Sequence, residues 1–326
     1  MGFDIDNAID TWIDDATLIR ENDLGLVTHA YFDGCKPLTR RAYFIALRRF
    51  LAYLDANGIG DPRAVTTTTI SRYLEGMTGR RKAKLSPATR AQTLAALRRW
   101  FELLAADAKI TRNPCMGVRS PIKRAKLGKA KRLSQRQLAR LFASMPPITP
   151  LNRRDRALVA FLFYTACRIG AALKLTHAGF QPHPKGLRVV LDEKFDTEHT
   201  MPVAPELAAY LAPYLADIAP HTDHAFVFRR YDPARRVFTT DPLAYEDAYH
   251  VIKRRLRAVG IKGKYSAHSF RRTAITMALE NGMPIELAQK LANHARVETT
   301  LLYDERRRAV SNEDLDYLRP MAKRAA

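Results

Sequence analysis

The sequence predicts a mainly α-helical protein of two domains, with a small antiparallel β-sheet confined to the second. Three observations carry this. Two long amphipathic segments, beginning at Thr39 and Thr89, repeat one pattern in the N-terminal half. The stretch RSPIKRAKLGKAKR, Arg119 to Arg132, holds seven basic residues, no acidic ones and few apolar ones, a composition that buries no core and so reads as a linker. Beyond it, LRVVL at 187–191 and HTMPV at 199–203 are the β-rich runs of an otherwise helical half, and they read as a hairpin. At 326 residues the chain is long enough for two cores.

Charge narrows the partner. The formal net charge is +21 with a pI near 10.1, well beyond what solubility needs, and it favours a polyanion, nucleic acid ahead of an anionic membrane. No membrane is among the expected partners, and no membrane span is expected, because the longest apolar run, Ala157 to Cys167, is about half what a bilayer requires and reads as a buried helix. Cys35, Cys115 and Cys167 are widely separated and odd in number, which argues against a disulfide framework and for a reducing, cytoplasmic setting. None sits at metal-ligand spacing, so no metal is expected.

Residues 1–24 are acidic, with Ile5, Ile9, Trp12 and Ile13 at helical spacing, and read as an N-terminal helical extension capping the first domain. MGFDIDNAID lacks the basic-then-apolar order of a signal peptide. Residues 25–112 form the helical domain. In TRRAYFIALRRFLAYLDANGI, the residues Tyr43, Leu47, Phe50, Leu51 and Leu54 share one stripe, Arg40, Arg41, Arg48 and Arg49 lie mostly outside it, and Asn57 with Gly58 ends the helix. Fifty residues on, TRAQTLAALRRWFELLAADAKI repeats this, with Ser86 and Pro87 marking the start. A shorter helix, Thr69 to Met77, and a basic turn, Gly79 to Lys84, lie between. Arg40, Arg41, Arg48, Arg90 and Arg98 are candidate DNA contacts, the alternative being that they solubilise their helices. Lys123, Arg124, Lys126 and Lys129 of the linker, 113–133, are candidates too, with a solvated tether as the alternative.

The second domain, 134–305, opens at Ser134, where SQRQ reads as a capping box, and Pro146 with Pro147 ends that helix. A buried helix, Arg156 to Thr165, delivers Arg168 to the end of an apolar run, where a guanidinium needs a buried carboxylate or a bound phosphate. The turn between the two strand runs carries Lys194. A helix is expected from Pro205 to about Leu215, and another from Asp241 and Pro242 to Val259.

Chemistry concentrates in YSAHSFRRTAITMALENGMPIELAQKLANHARVETTLLYDE, Tyr265 to Glu305, where Gly282 ends one helix and Pro284 opens the next. His268, Arg271, His294 and Tyr303 are the side chains that phosphoryl transfer to a tyrosine needs. A phenol titrates near pH 10, so as a nucleophile it wants a proton acceptor and a cation beside it, and His268 and Arg271, three apart, share a helix face. The alternative is a solvated basic helix.

At these motifs the chain resembles the tyrosine recombinases, also called the phage integrase family. FYTACRIGAALKL resembles the first arginine box, AHSFRRT the histidine and second arginine box, and LANHARVETTLLY the second histidine and nucleophile box. The resemblance spans both domains. It implies a SAM-like helical core-binding domain, a mixed α+β catalytic domain and a C-terminal tail, 306–326, that docks on a neighbouring protomer. It further implies that Arg168 and Arg271 grip the scissile phosphate, His268 handles the proton of Tyr303, His294 hydrogen-bonds the phosphate and Lys194 protonates the leaving 5′ oxygen. No metal or nucleotide cofactor is required. The implied partner is double-stranded DNA with an inverted-repeat core site, bound by a dimer per site and a tetramer in the synapse, for integration, excision or dimer resolution on the bacterial nucleoid. Three positions depart from the family pattern: Ala171 replaces an acidic residue, and Ala166 and Asn293 replace glycines. A type IB topoisomerase is the alternative from the same chemistry. A DNA-binding protein that has lost catalysis is the other, with Ala171 as its hint.

Overall fold

The structure, a computed structural model, describes residues 5–79, 83–121, 131–193, 197–219 and 222–305. The tip of the basic turn, linker residues Lys123, Arg124, Lys126 and Lys129, the hairpin residue Lys194 and the tail 306–326 lie outside them. The chain divides into two compact units, Met1–Ala125 and Lys126–Ala326.

The first unit is helical: α1 (Ile5–Asp15), α2 (Thr17–Arg20), α3 (Gly25–Asp33), α4 (Pro37–Ala56), α5 (Thr67–Gly76) and α6 (Pro87–Ala106). Proline opens both long helices, where its missing N–H costs nothing, and the Ser86 hydroxyl caps α6 by accepting from the Thr89 N–H at 3.2 Å. The stripes read from the sequence become one core, in which Leu47, Phe50 and Leu54 of α4 meet Leu97, Trp100 and Phe101 of α6. Ile9 and Ile13 of the acidic extension join it, with Leu18 and Ile19 of α2. Trp100 is fully buried, and its indole N–H donates to the Thr28 hydroxyl at 3.2 Å, so the largest side chain leaves no polar atom stranded.

The second unit runs α7 (Gln135–Ala143), α8 (Pro150–Tyr164), α9 (Ile169–Lys174), β1 (Phe180–His183), β2 (Gly186–Glu193), β3 (Thr197–Pro202), α10 (Pro205–Asp217), β4 (Arg229–Asp232), β5 (Val237–Pro242), α11 (Tyr245–Ala258), α12 (Ala267–Glu280), α13 (Ile285–Leu291) and α14 (Val297–Leu301). Ser134 and Gln137 form the capping box of α7. Helix α8 is central: Ala157 to Leu162 are all fully buried, and α10 and α12 pack against it. Strands β1, β2 and β3 form an antiparallel sheet in that order, and the β2–β3 register ends on Glu193 opposite Thr197. His199 of β3 bonds through Nε2 to the Lys290 carbonyl at 2.9 Å, tying the hairpin to α13.

The sequence expects a helix from Asp241; instead Asp241 and Pro242 end β5, which pairs with β4, and the helix begins at Tyr245. Phe238 packs edge-on to Tyr214 and Tyr231, holding the segment extended. The Asp232 carboxylate accepts from the Ala234 N–H at 2.9 Å and closes the turn. Among the described residues no helix is long and apolar enough to cross a membrane.

Candidate active site

Arg168 sits where α8 has ended and α9 has not yet begun, as the residue preceding the first turn of α9. Its main-chain N–H donates to Glu193 Oε1 at 3.2 Å, and its Nη1 pairs with Glu193 Oε2. The carboxylate is fully buried, while the Arg168 side chain is 39% exposed. Of the two partners the sequence allows for this arginine, the structure supplies the buried carboxylate, and the side chain keeps enough exposure to meet a second anion.

Helix α12 brings His268 and Arg271 in one turn. Arg271 is 1% exposed, and its buried charge is held by main-chain carbonyls, Nη1 donating to Ala166 O at 2.6 Å and Nη2 to Ala292 O. These carbonyls lie at or beside departures from the family pattern. Ala166 has φ +49° and Asn293 has φ +44°, the left-handed region in which glycine costs least and asparagine is the better-tolerated substitute.

His294 follows Asn293 and is 8% exposed. Its Nδ1 and the Thr300 hydroxyl are 2.9 Å apart, and its carbonyl accepts from Gln289 Nε2 at 2.9 Å, so both ring and main chain are fixed. The ring stacks on Tyr303 with centroids 5.5 Å apart and planes at 28°. Tyr303, also 8% exposed, is anchored through its carbonyl, which accepts from the Thr276 hydroxyl at 3.2 Å.

Burial pushes His294 down to about 4, helped by the positive charges of Arg271, Arg168 and His268. His268 still reaches solvent, and it too is held below the usual histidine range, by the protein packed around it and then by Arg271 and Arg168. Arg271 is lowered first by burial, then by Arg168, with Glu193 and Tyr303 opposing. At neutral pH the arrangement is two arginines, two uncharged histidines and a tyrosine, with a buried carboxylate, Glu193, paired to Arg168. Such a site attracts an anion and offers an imidazole that can accept a proton.

The structure thus brings together Arg168, His268, Arg271, His294 and Tyr303. Lys194 lies outside the described residues; its neighbour in sequence, Glu193, ends β2. Glu193 and Thr300 are the residues that sequence reasoning missed. A lone arginine ending an apolar run was the signal for a buried acid; Thr300, six residues after His294, left none. Of the DNA-contact candidates, Arg41 and Arg48 are exposed and Arg90 is half-buried. Arg40 Nε donates to the Phe32 carbonyl at 3.1 Å, and Arg98 donates to the Cys115 and Val118 carbonyls at 3.3 and 2.6 Å, so both spend donors on their own unit.

A model described as the phage integrase family matches residues 131–309, and one described as the phage integrase N-terminal SAM-like domain matches 33–107. The chain belongs to the phage integrase family. It is a tyrosine-type site-specific recombinase. Among its relatives, the tyrosine recombinase XerC 2 of Ralstonia nicotianae is 30% identical over 280 residues, covering 83% of this chain and 77% of the relative. The tyrosine recombinase XerD of Listeria monocytogenes is 27% identical, covering 83% and 88%. A solved XerH site-specific recombinase bound to difH substrate superposes with a TM-score of 0.65 at 18% identity, covering 86% of this chain and 79% of that one. A lambda integrase dimer bound to a COC′ core site gives 0.61 at 18% identity, covering 87% and 79%; both show that the fold is that of the recombinases.

Proposed function

We propose that this recombinase cuts and rejoins duplex DNA through a 3′-phosphotyrosyl intermediate on Tyr303. The Tyr303 oxygen attacks the scissile phosphorus, His268 accepts its proton, the bond to the 5′ oxygen breaks and Lys194 protonates that oxygen as it leaves. A 5′ hydroxyl from a partner strand then attacks the phosphotyrosine and returns the enzyme unchanged. One phosphodiester is exchanged for another, so the reaction needs no energy source.

The observation that carries the reading is the stacking of His294 on Tyr303, with Arg271, Arg168 and His268 all close enough to act electrostatically on His294. In the transition state extra negative charge develops on the non-bridging oxygens, and arginine forks held in place beforehand stabilise it more than they stabilise the ground state. Loss of one such donor typically costs about 3 kcal/mol, a factor on the order of a hundred in rate. Arg271 is held by Ala166 and Ala292, Arg168 by Glu193. In the tautomer whose Nδ1 accepts from the Thr300 hydroxyl, neutral His294 carries its proton on Nε2 and donates it to a phosphate oxygen.

The substrate is double-stranded DNA with an inverted-repeat core site, held by a dimer per site and a tetramer in the synapse. Relatives of this fold include a lambda integrase dimer on a core site and a lambda integrase tetramer on a Holliday junction, which support that assembly. Residues 25–112 with Arg41, Arg48 and Arg90 grip the core site, the linker with Lys123, Arg124, Lys126 and Lys129 crosses the backbone, and residues 134–305 do the chemistry. The tail 306–326 docks on a neighbouring protomer. The role is DNA integration, excision or dimer resolution on DNA in the cytoplasm. The test is strand exchange between two labelled duplexes carrying a core site selected from a random pool. Recombinant products are expected; strands that are only nicked and resealed support the topoisomerase reading instead.

A further inference from the structure

Arg168 has no acidic residue on its own helix to hold it, because the position one turn along α9 is Ala171, 5% exposed among core residues. The carboxylate comes from across the fold. Glu193 Oε1 accepts the main-chain N–H of Arg168 at 3.2 Å, and Oε2 pairs with Arg168 Nη1 and accepts from Asn293 Nδ2 at 3.4 Å. One fully buried side chain therefore touches Arg168 twice, reaches the residue before His294, and stands one residue before Lys194 in the chain.

Resting on the phosphotyrosyl reading above, we propose that Glu193 is the positioning residue that sets Arg168 for the scissile phosphate, in place of an acid at position 171. A guanidinium is a planar fork with five donors, and fixing it through a carboxylate on one edge aims the others. Arg168 meets the fully buried Glu193 through Nη1, and 39% of its side chain remains exposed and able to meet a phosphate. The support is anchored in the fold: Glu193 ends a strand whose hairpin partner is tied to α13 by His199. Asn293 belongs to the same device. Its left-handed backbone suits glycine, but only a side chain there can donate to Glu193, and asparagine tolerates that backbone while supplying the amide. The residues at 171 and 293 thus belong to one arrangement, in which the acid stands at the end of β2 rather than on α9.

The test measures covalent cleavage of a nicked core-site duplex carrying either the normal scissile phosphate or one with a non-bridging oxygen replaced by methyl. The methyl phosphonate lacks the charge that Arg168 answers, so a defect that acts through Arg168 shrinks on it. Glu193→Ala should cleave the normal substrate about 10- to 100-fold more slowly, as expected of misplaced catalytic groups, with DNA affinity unchanged in a gel shift. Both Glu193→Ala and Arg168→Ala should recover most of their loss on the methyl substrate. Adding Ala171→Glu to Glu193→Ala should restore at least half of the lost logarithm of rate, which a merely structural role for Glu193 does not predict. If Glu193→Ala does not fold, as judged by its melting curve, the isosteric Glu193→Gln carries the test with the same pattern expected. Wild-type cleavage by the variant, or a loss equal on both substrates and untouched by Ala171→Glu, overturns the proposal. Tyr303→Phe is run beside these. If it still forms the covalent product, the tyrosine chemistry itself fails; if it is inert while Glu193 variants cleave normally, only the positioning role fails.

Discussion

Arg271 Nη1 donates to the carbonyl oxygen of Ala166 at 2.6 Å, a hydrogen bond that joins residues 105 apart and fixes the break between α8 and α9 to the core of α12. Ala166 presents that carbonyl from a left-handed backbone, φ +49°, while fully buried. A β-carbon in that region costs on the order of 1–2 kcal/mol, which the Arg271 bond and the surrounding packing offset.

Ala166→Gly should therefore stabilise the second unit. The relieved strain exceeds the extra freedom glycine gains in the unfolded chain, leaving a net gain of roughly 0.5–1 kcal/mol. A urea titration checks this through the midpoint of unfolding. A midpoint that falls would mean that the alanine methyl contributes more packing than its backbone costs.

His294 makes stability depend on pH. Its folded pKa, about 4, lies below the value near 6.5 of an unfolded histidine, so the unfolded chain binds the proton more readily in that window. Its contribution is complete above about pH 6.5 and is lost as pH falls towards 4, by up to about 3 kcal/mol. His268 is shifted in the same direction and adds to the slope. His294→Asn should flatten the fall in stability between pH 6.5 and 4, measured by denaturant titration at each pH; an unchanged slope would assign it to other groups.

Much of the fold was legible because its signals are local. The matched stripes of α4 and α6, the Ser134 capping box and the β2–β3 hairpin are each written in neighbouring residues of the chain. The β4–β5 hairpin was not, since Asp241 with Pro242 resembles a helix start and what holds Phe238 extended is a ring, Tyr214, on another element. Strand β1 contains Pro182, a residue that argues against a strand unless it lies at an edge, as β1 does. In the site, the histidine, arginine and tyrosine boxes were readable as motifs. The Arg168–Glu193 pair was not, because it joins a helix start to a strand end and exists only in the folded chain.

The arginines of the first unit divide by what they touch. Arg41 and Arg48 are exposed, so replacing both with glutamine should lower the slope of log affinity against log salt by about 0.9 for each phosphate they no longer neutralise. Arg98 holds the segment ending at Val118 through two carbonyls, and Arg98→Gln should instead destabilise the unit by about 2 kcal/mol with the slope retained. Salt titrations of duplex binding and melting curves separate the two. A slope unchanged by Arg41→Gln and Arg48→Gln would return them to the role of solubilising charges.

Lys185 precedes β2 in the chain and Lys194 follows it, and the strand between them spans roughly 23 Å at the usual rise. An alkoxide leaving group needs a proton in the transition state, whereas a thiolate does not. Lys194→Ala should slow cleavage on the order of a hundredfold for the normal substrate and cleave near the wild-type rate when the bridging 5′ oxygen is sulfur. Lys185→Ala should cleave both normally. Rescue of the Lys185 variant by sulfur, with Lys194→Ala unaffected, would move the proton donor to the other end of the strand.

The most direct measurement is covalent capture by Tyr303. On a core-site duplex nicked just downstream of the cleavage position, the short freed strand diffuses away and the enzyme stays joined to the 3′ phosphate. Wild-type protein should run as a DNA-linked band in SDS, and Tyr303→Phe, which keeps the ring beside His294 and removes the nucleophilic oxygen, should bind the same duplex with no such band. An SDS-resistant complex formed by the phenylalanine variant would contradict the account, because the bond to DNA would then come from another residue.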